Sequence, residues 1–146
     1  DAGALLKKAG MTLVSKVGGA SGPLYGTFFM RMGAALGSDA DTAAIGKALR
    51  AGADGVKARG KANLGDKTML DCLYPALDAF DEAAAGGLQA ALTAASERAD
   101  KAARETEPMI AKKGRASYLG ERSQGTQDPG ATSSALLFKA AAAALA

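Results

Sequence analysis

The sequence predicts an all-α protein, and three observations support this prediction. Of the 146 residues, 48% are hydrophobic but only 5% are aromatic, and alanine, the best helix former, supplies much of the apolar share. Apolar residues recur every three or four positions along most of the chain, which is the spacing of one helix face. No stretch shows the alternation that is typical of a half-buried strand.

Three helices are predicted in the first half of the chain. The first covers residues 3–16, and Ser21 is expected to cap the second, with Pro23 in its first turn and Gly37 at its end. Ser38 to Asp41 match a capping box that opens the third helix. The apolar face predicted for the first helix consists of Leu5, Leu6, Ala9, Leu13 and Val17.

Three more helices are predicted in the second half. A polar loop over residues 59–68 precedes the fourth helix, which begins near Thr68. The fifth helix follows Gly87 and ends near Arg104, ahead of a proline. Residues 111–135 show little helical periodicity.

The last predicted helix covers residues 131–146, and Asp128 is expected to accept hydrogen bonds at its start. Short connections leave consecutive helices side by side, so the expected architecture is an antiparallel up-and-down bundle or barrel. A chain of this length is expected to form one compact domain.

Charge and residue types exclude several classes of function. The 18 basic and 15 acidic residues are intermixed, so we expect no nucleic-acid partner. No apolar run reaches the roughly 20 residues that span a bilayer, so we expect no membrane partner and a cytoplasmic location. The chain has no histidine, which excludes histidine-based zinc sites and Ser–His or Cys–His catalysis. The single Cys72 is expected to be a small buried residue in a reducing compartment.

Three glycine-bearing loops carry residue types that bind anions. Residues 18–22 precede a helix, where free N–H groups and the helix dipole attract an anion, although a plain turn capped by Ser21 is the alternative. Residues 65–68 also precede a helix. Arg115, beside Lys112 and Lys113, is suited to a bidentate phosphate contact, and a solvated basic loop is the alternative. Corners two helices apart lie at one end of an up-and-down bundle, so the three loops are expected to meet and form a nucleotide site.

Three long segments of the chain resemble the nucleotide-binding L subunit, or L domain, of the dihydroxyacetone kinases. They are GMTLVSKVGGASGPLYGTFFMRMG, RGKANLGDKTMLD and AKKGRASYLGERSQGTQDPGATSSALLF, in this order. The resemblance covers essentially the whole chain and implies an eight-helix antiparallel barrel that holds ADP or ATP, with six of the eight helices in this chain. It also implies a K subunit that carries dihydroxyacetone covalently, and an M subunit of the phosphotransferase system that re-phosphorylates the bound ADP.

The resemblance also implies which residues bind the nucleotide. The protein would contribute geometry and no nucleophile, so no catalytic residue is assigned. Ala20 and Ser21 would contact phosphate, Gly60, Thr68 and Met69 would surround the adenine, Arg115 would face the phosphates, and Asp128, Gly130, Ala131 and Thr132 would close the site.

The sequence departs from the family in its metal ligands. The family carries a Gly-Asp-Gly-Asp-His-Gly segment whose aspartates hold two Mg²⁺ ions, and this segment is not found in the sequence. Asp1 is no substitute, because a metal pair needs several carboxylates in one loop. We therefore expect residues 1–146 to be a single, N-terminally incomplete L domain whose Mg²⁺ ligands lie in a preceding segment, and which is inactive alone.

Two alternatives to this interpretation remain open. One is the L domain of a single-chain, ATP-dependent kinase for a small acceptor. The other is a non-catalytic helical interaction module, such as one that reports nucleotide state to a transcription regulator.

Overall fold

The structure is a computed structural model and describes residues 1–38 and 40–145. Within these ranges it contains six α-helices, two 3₁₀ segments and no strand, which confirms the all-α prediction. The chain divides into two compact units, one up to Lys61 and one from Ala62 onward. The helices are α1 (Ala2–Lys16), α2 (Ser21–Leu36), α3 (Thr42–Gly60), α4 (Leu70–Ala83), α5 (Leu88–Glu105) and α6 (Pro129–Ala144), and the 3₁₀ segments are Ala84–Gly86 and Arg115–Ser123.

In the first unit, glycines let α1 and α2 approach each other closely. A Cβ atom built on Gly10 would lie 2.6 Å from the carbonyl oxygen of Gly26, and one built on Gly33 would lie 2.6 Å from that of Gly3. A side chain does not tolerate such distances, so the contact requires glycine. Because the start of α1 meets the end of α2, the two helices are antiparallel, as predicted.

The apolar face predicted for α1 is wrong in part. Leu5 and Val17 are 69% and 42% exposed, whereas the buried residues of α1 are Gly3 and Gly10. The reason is that α1 turns its smallest residues toward α2, since backbone-to-backbone approach requires a face without side chains. α3 packs on the other flank of α2, where a Cβ built on Gly52 would lie 2.9 Å from the Phe28 ring.

Two predicted helix caps are wrong. Ala20 is the N-cap of α2 and already has helical backbone angles, so Ser21 lies inside the first turn and does not cap it. α3 is capped by Asp41, whose carboxylate accepts a hydrogen bond from the Ala44 N–H at 2.7 Å. Asp41 rather than Ser38 is the residue with extended backbone directly before the helix. Asp39, also in the predicted capping box, lies outside the described residues.

The second unit has a core built from α4, α5 and α6. Leu70, Leu77 and Phe80 of α4 are almost fully buried, and most of the buried residues of α5, which packs on α4, are alanines. Cys72 is buried as predicted, with its thiol 3.5 Å from the Ala99 carbonyl oxygen. Burial raises the pKa of this thiol from 9.0 to about 12.

The boundaries in the second half differ slightly from those predicted. α4 begins at Leu70 and α6 at Pro129, each two residues from its expected start. Residues 115–123 form a 3₁₀ segment that is interrupted at Gly120, where the backbone is left-handed (φ 56°, ψ −128°). Throughout residues 1–38 and 40–145, no helix is both long and apolar enough to cross a membrane.

Candidate functional site

The loop that precedes α4 is held by the carboxylate of Asp71. This side chain is 7% exposed and accepts hydrogen bonds from the N–H groups of Gly65 at 2.6 Å and Thr68 at 3.0 Å. The Thr68 hydroxyl in turn accepts one from the Leu70 N–H at 3.2 Å. These bonds are similar to a capping box, although the N-cap of α4 is Met69, which has no side-chain cap. Together they fix Thr68 and Met69 at the start of α4.

The start of α6 packs against the start of α4. A Cβ atom built on Gly130 would lie 3.3 Å from the Met69 Cβ and 3.5 Å from its backbone nitrogen. The Asp128 carboxylate accepts a hydrogen bond from the Ala131 N–H at 2.8 Å, which confirms the predicted cap. The Asp128 N–H donates to the hydroxyl of Thr106 at 2.9 Å. Residues predicted from two separate segments to bind a nucleotide therefore lie together.

Asp128 determines which kind of ligand group the start of α6 can bind. Burial raises the pKa of its carboxyl; the Asp71 charge adds to the rise, whereas the Ala131 N–H and the Lys67 charge oppose it. A carboxylate at these N–H groups repels a phosphate and accepts hydrogen bonds from hydroxyl or amino groups. The start of α6 therefore suits the sugar or base of a nucleotide better than its phosphates.

The predicted phosphate contact, Arg115, begins the long 3₁₀ segment, Arg115–Ser123, and is exposed. Lys112 and Lys113 precede it and are exposed too. The Lys112 N–H donates to the Asp66 carbonyl oxygen at 3.0 Å, which joins this stretch to the loop before α4. Three exposed cations in one stretch have the charge that would suit phosphate groups.

Four buried polar residues of this region were not identified as important from the sequence. Thr106 is 0% exposed, and the other three are Lys67, Asp71 and Ser123. The spacing of Thr68 and Asp71 is a capping-box signal that was available in the sequence. No signal indicated Lys67, because lysines are almost always exposed.

Ala20, Ser21 and Gly60 belong to the first unit, and their part in the site stays a prediction. Ala20 and Ser21 start α2, and Gly60 ends α3. Space around the preceding corner is open, since a Cβ built on Gly18 or Gly19 meets no atom within 4 Å. An open groove of about 440 Å³ also lies between α2 and α3, lined by Thr27, Met30, Arg31, Gly55, Ala58 and Arg59, none of which is a predicted site residue.

The residues present fit a nucleotide but not its metal ions. Among the residues that the structure describes, no group of three or more His, Cys, Asp or Glu side chains is placed to hold a metal. The charge of Asp71 contributes to the raised pKa of Asp128, but both carboxylates already accept hydrogen bonds from backbone N–H groups. Two such carboxylates are too few for a Mg²⁺ pair.

Sequence comparison decides the family. Residues 1–143 match the DAK2 domain. The chain belongs to the DAK2 domain family. The resemblance to the dihydroxyacetone kinases is therefore confirmed at the level of the family.

Relatives of this DAK2 chain include two bacterial subunits. It is 52% identical over 137 residues to the PEP-dependent dihydroxyacetone kinase, ADP-binding subunit DhaL, of Escherichia coli (strain K12), covering 91% of this chain and 65% of that protein. It is 49% identical over 137 residues to the corresponding subunit of dihydroxyacetone kinase 1 of Listeria innocua, covering 93% of this chain and 65% of that protein. The DAK2 chain thus spans about two thirds of the length of these relatives.

A solved structure shares the fold of this DAK2 chain. The dihydroxyacetone kinase from C. freundii in complex with AMP-PNP and Mg²⁺ superposes with a TM-score of 0.71 at 31% identity. The match covers 98% of this chain and 23% of that kinase. The helical fold predicted from the sequence is therefore also found in a dihydroxyacetone kinase.

Proposed function

We propose that this chain is the nucleotide-binding part of a dihydroxyacetone kinase. It holds ADP or ATP with Mg²⁺ and passes the terminal phosphoryl group to dihydroxyacetone on a partner K subunit, and an M subunit re-phosphorylates the bound ADP. The observation that carries the proposal is the packing of Met69 against Gly130, which joins two predicted nucleotide-binding segments at the starts of α4 and α6. The identity of 52% to an ADP-binding subunit supports it. A cytoplasmic location is part of the proposal.

In this proposal the residues of the chain position the nucleotide and do not react with it. Thr68 and Asp128 meet the sugar and base, whereas the Arg115 guanidinium makes a bidentate contact with phosphate. The N–H groups at the start of α2, beside Ala20 and Ser21, bind phosphate as a second contact. Positioning and charge stabilisation are what phosphoryl transfer requires of a protein.

The described residues of the candidate site do not form a group that could hold Mg²⁺. When bound, Mg²⁺ would supply positive charge that offsets the charge of the phosphates. The two carboxylates of the site are engaged by backbone N–H groups, so we propose that other parts of the protein supply the ligands.

A single-chain kinase is the second candidate. The C. freundii kinase is much longer than this chain, which covers 23% of it, and this shows that the fold also occurs inside larger kinases. The higher identity of 52% and 49% to PEP-dependent subunits favours the subunit over the single-chain kinase. The transcription regulator remains an expectation of the alternative interpretation, in which the chain is a non-catalytic interaction module.

Titration of ADP into the full-length protein with Mg²⁺, with and without Arg115→Ala, tests the proposal. We expect the wild type to bind ADP and the substitution to weaken binding by about 1.5–3 kcal/mol, the range for a lost charged hydrogen bond. Arg104→Ala is the matched control, because this exposed arginine pairs with Asp100 on α5.

The outcomes separate the parts of the proposal. No ADP binding by the wild type rejects the nucleotide function itself. Normal binding by Arg115→Ala removes that residue from the site. Transfer of phosphate to dihydroxyacetone in the presence of purified K and M subunits distinguishes the subunit from an ATP-dependent kinase, which needs no M subunit.

A further inference from the structure

The ammonium group of Lys67 lies inside the second unit. The residue is 4% exposed, and its Nζ donates to the carbonyl oxygens of Glu107 at 3.4 Å, Met109 at 3.1 Å and Ser123. An ammonium has three N–H donors and no acceptor, so the three carbonyls match its full donor capacity.

The three carbonyls lie at the two ends of the stretch that carries Arg115. Glu107 and Met109 follow α5, and Ser123 ends the long 3₁₀ segment. The Gly125 N–H donates to the Glu107 carbonyl at 2.9 Å, which closes residues 107–125 into a loop. Lys67 therefore binds both ends of this loop, residues 107–109 and 123–125, which we call its neck.

A second set of bonds ties the same loop together. The Ser123 hydroxyl accepts from the Ala111 N–H at 2.8 Å and donates to the Gly120 carbonyl at 2.6 Å. The Lys112 N–H donates to the Asp66 carbonyl, next to Lys67 in the chain. The loop before α4, which presents Thr68 and Met69, is thus held to the 107–125 loop at its neck.

Two observations show that the position of Lys67 is tightly determined by its surroundings. Its backbone is left-handed (φ 62°), a conformation that a residue with a side chain keeps only where surrounding contacts impose it. Burying an ammonium is also costly unless polar partners compensate it. Here the three carbonyls and the nearby Asp128 carboxylate do so. An apolar side chain would fill the space without that cost but would bind no carbonyl.

We infer that Lys67 is a positioning residue of the nucleotide site, which closes the neck of the 107–125 loop and so holds Arg115 in register with Thr68 and Met69. Lys67 acts through backbone carbonyls and touches no ligand. The inference rests on the proposed function, in which Arg115 meets a phosphate, and it adds the residue that keeps Arg115 there.

The test compares Lys67→Met with the wild type in the full-length protein. We expect amide hydrogen exchange in residues 110–124 to accelerate about tenfold or more, whereas amides in the middle of α5 keep their rates. The dissociation constant for ADP should rise about tenfold. Lys61→Met is the matched control, because Lys61 is exposed and has the same left-handed backbone (φ 50°).

A double substitution separates positioning from general destabilisation. If Lys67 acts through Arg115, then Lys67→Met costs little further ADP affinity once Arg115→Ala is present, because coupled residues are not additive. A merely structural role would weaken binding equally in both backgrounds. Equal weakening, or unchanged exchange in residues 110–124, overturns the inference.

Failure of the wild type to bind ADP rejects the proposed function instead, and with it the role of Lys67 in the site. The amide exchange rates of residues 110–124 then decide only whether Lys67 closes the neck. Should Lys67→Met not fold, Lys67→Arg serves in its place, because it keeps the charge but presents a planar fork to three carbonyls arranged for an ammonium. Intermediate exchange and affinity are expected of it. Wild-type exchange and affinity in Lys67→Arg overturn the inference.

Discussion

Ser21 is the residue at which helix structure and ligand binding are most easily separated. Its side chain is exposed at the start of α2, and the N-cap of that helix is Ala20. The hydroxyl is therefore not needed as a cap, although it lies where an anion would meet the helix dipole.

We predict that Ser21→Asp preserves stability and abolishes much of the ADP binding. An acidic residue in the first turn stabilises a helix by about 0.3–1 kcal/mol, so the free energy of unfolding in urea should hold or rise. A carboxylate at the phosphate position repels it, so the dissociation constant measured by calorimetry should rise at least about tenfold.

Ser38→Asp is the control for this experiment, since Ser38 is also exposed near a helix start and is not a predicted site residue. Normal ADP binding by Ser21→Asp would show that residues 18–22 are only a turn between two helices and that the phosphates bind elsewhere.

At the scale of elements, two different kinds of contact join the helices. α1 and α2 meet through glycines, backbone against backbone. Where α4 packs on α5, α4 buries large side chains such as Phe80 and Leu77, and α5 buries mainly alanines. The candidate site contains a third kind of contact, in which two helix starts pack together at Met69 and Gly130.

We predict that Gly10→Ala destabilises the first unit although alanine favours helices. The new Cβ would lie 2.6 Å from the Gly26 carbonyl oxygen and from the Met30 Cγ, so the helices must separate. Overpacking of this kind costs about 1–3 kcal/mol, against a gain in helix propensity of at most about 1 kcal/mol. Urea unfolding should show a net loss of stability.

Gly18→Ala is the matched control, because a Cβ there meets nothing within 4 Å and the backbone is not left-handed. Its stability should stay the same or rise by up to about 1 kcal/mol. Equal stability of Gly10→Ala and Gly18→Ala would contradict the close glycine packing.

At the scale of the whole molecule, the chain folds as two compact helical units, of which the second contains the only cysteine. Cys72 is 0% exposed. Its pKa of about 12, raised from 9.0 by burial, makes the reactive thiolate at pH 8 about a thousandfold rarer than in an unfolded chain. Labelling of Cys72 therefore reports opening of the second unit.

We predict that a thiol reagent at pH 8 labels native Cys72 far more slowly than the urea-unfolded chain, with the Cys72 peptide followed by mass spectrometry. Leu77→Ala should accelerate labelling about 30-fold or more, because losing a buried leucine costs about 2–5 kcal/mol. Leu136→Ala, at a residue 61% exposed, should leave the rate unchanged. Rapid labelling of the native wild type would show that the thiol is accessible.

The sequence alone determined the helical class and most helix ends to within two residues. It also determined the Asp128 cap and the burial of Cys72. These features depend on local signals: apolar spacing, the residue directly before a helix, and glycine or proline after it. The resemblance of three motifs likewise indicated the family. The ligand-binding roles of the candidate site residues, in both units, are still predictions.

Only the tertiary structure decided which face of α1 turns inward, because that choice depends on how near the backbone of α2 can come and not on how apolar the face is. It also decided that Ala20, and not Ser21, caps α2. Above all, it decided that Lys67 is buried: the lysine and the Ser123 carbonyl that it binds are 56 residues apart. A local sequence pattern carries no information about a contact between such distant positions. The cost of burying the charge is offset only by polar partners that tertiary packing brings to it.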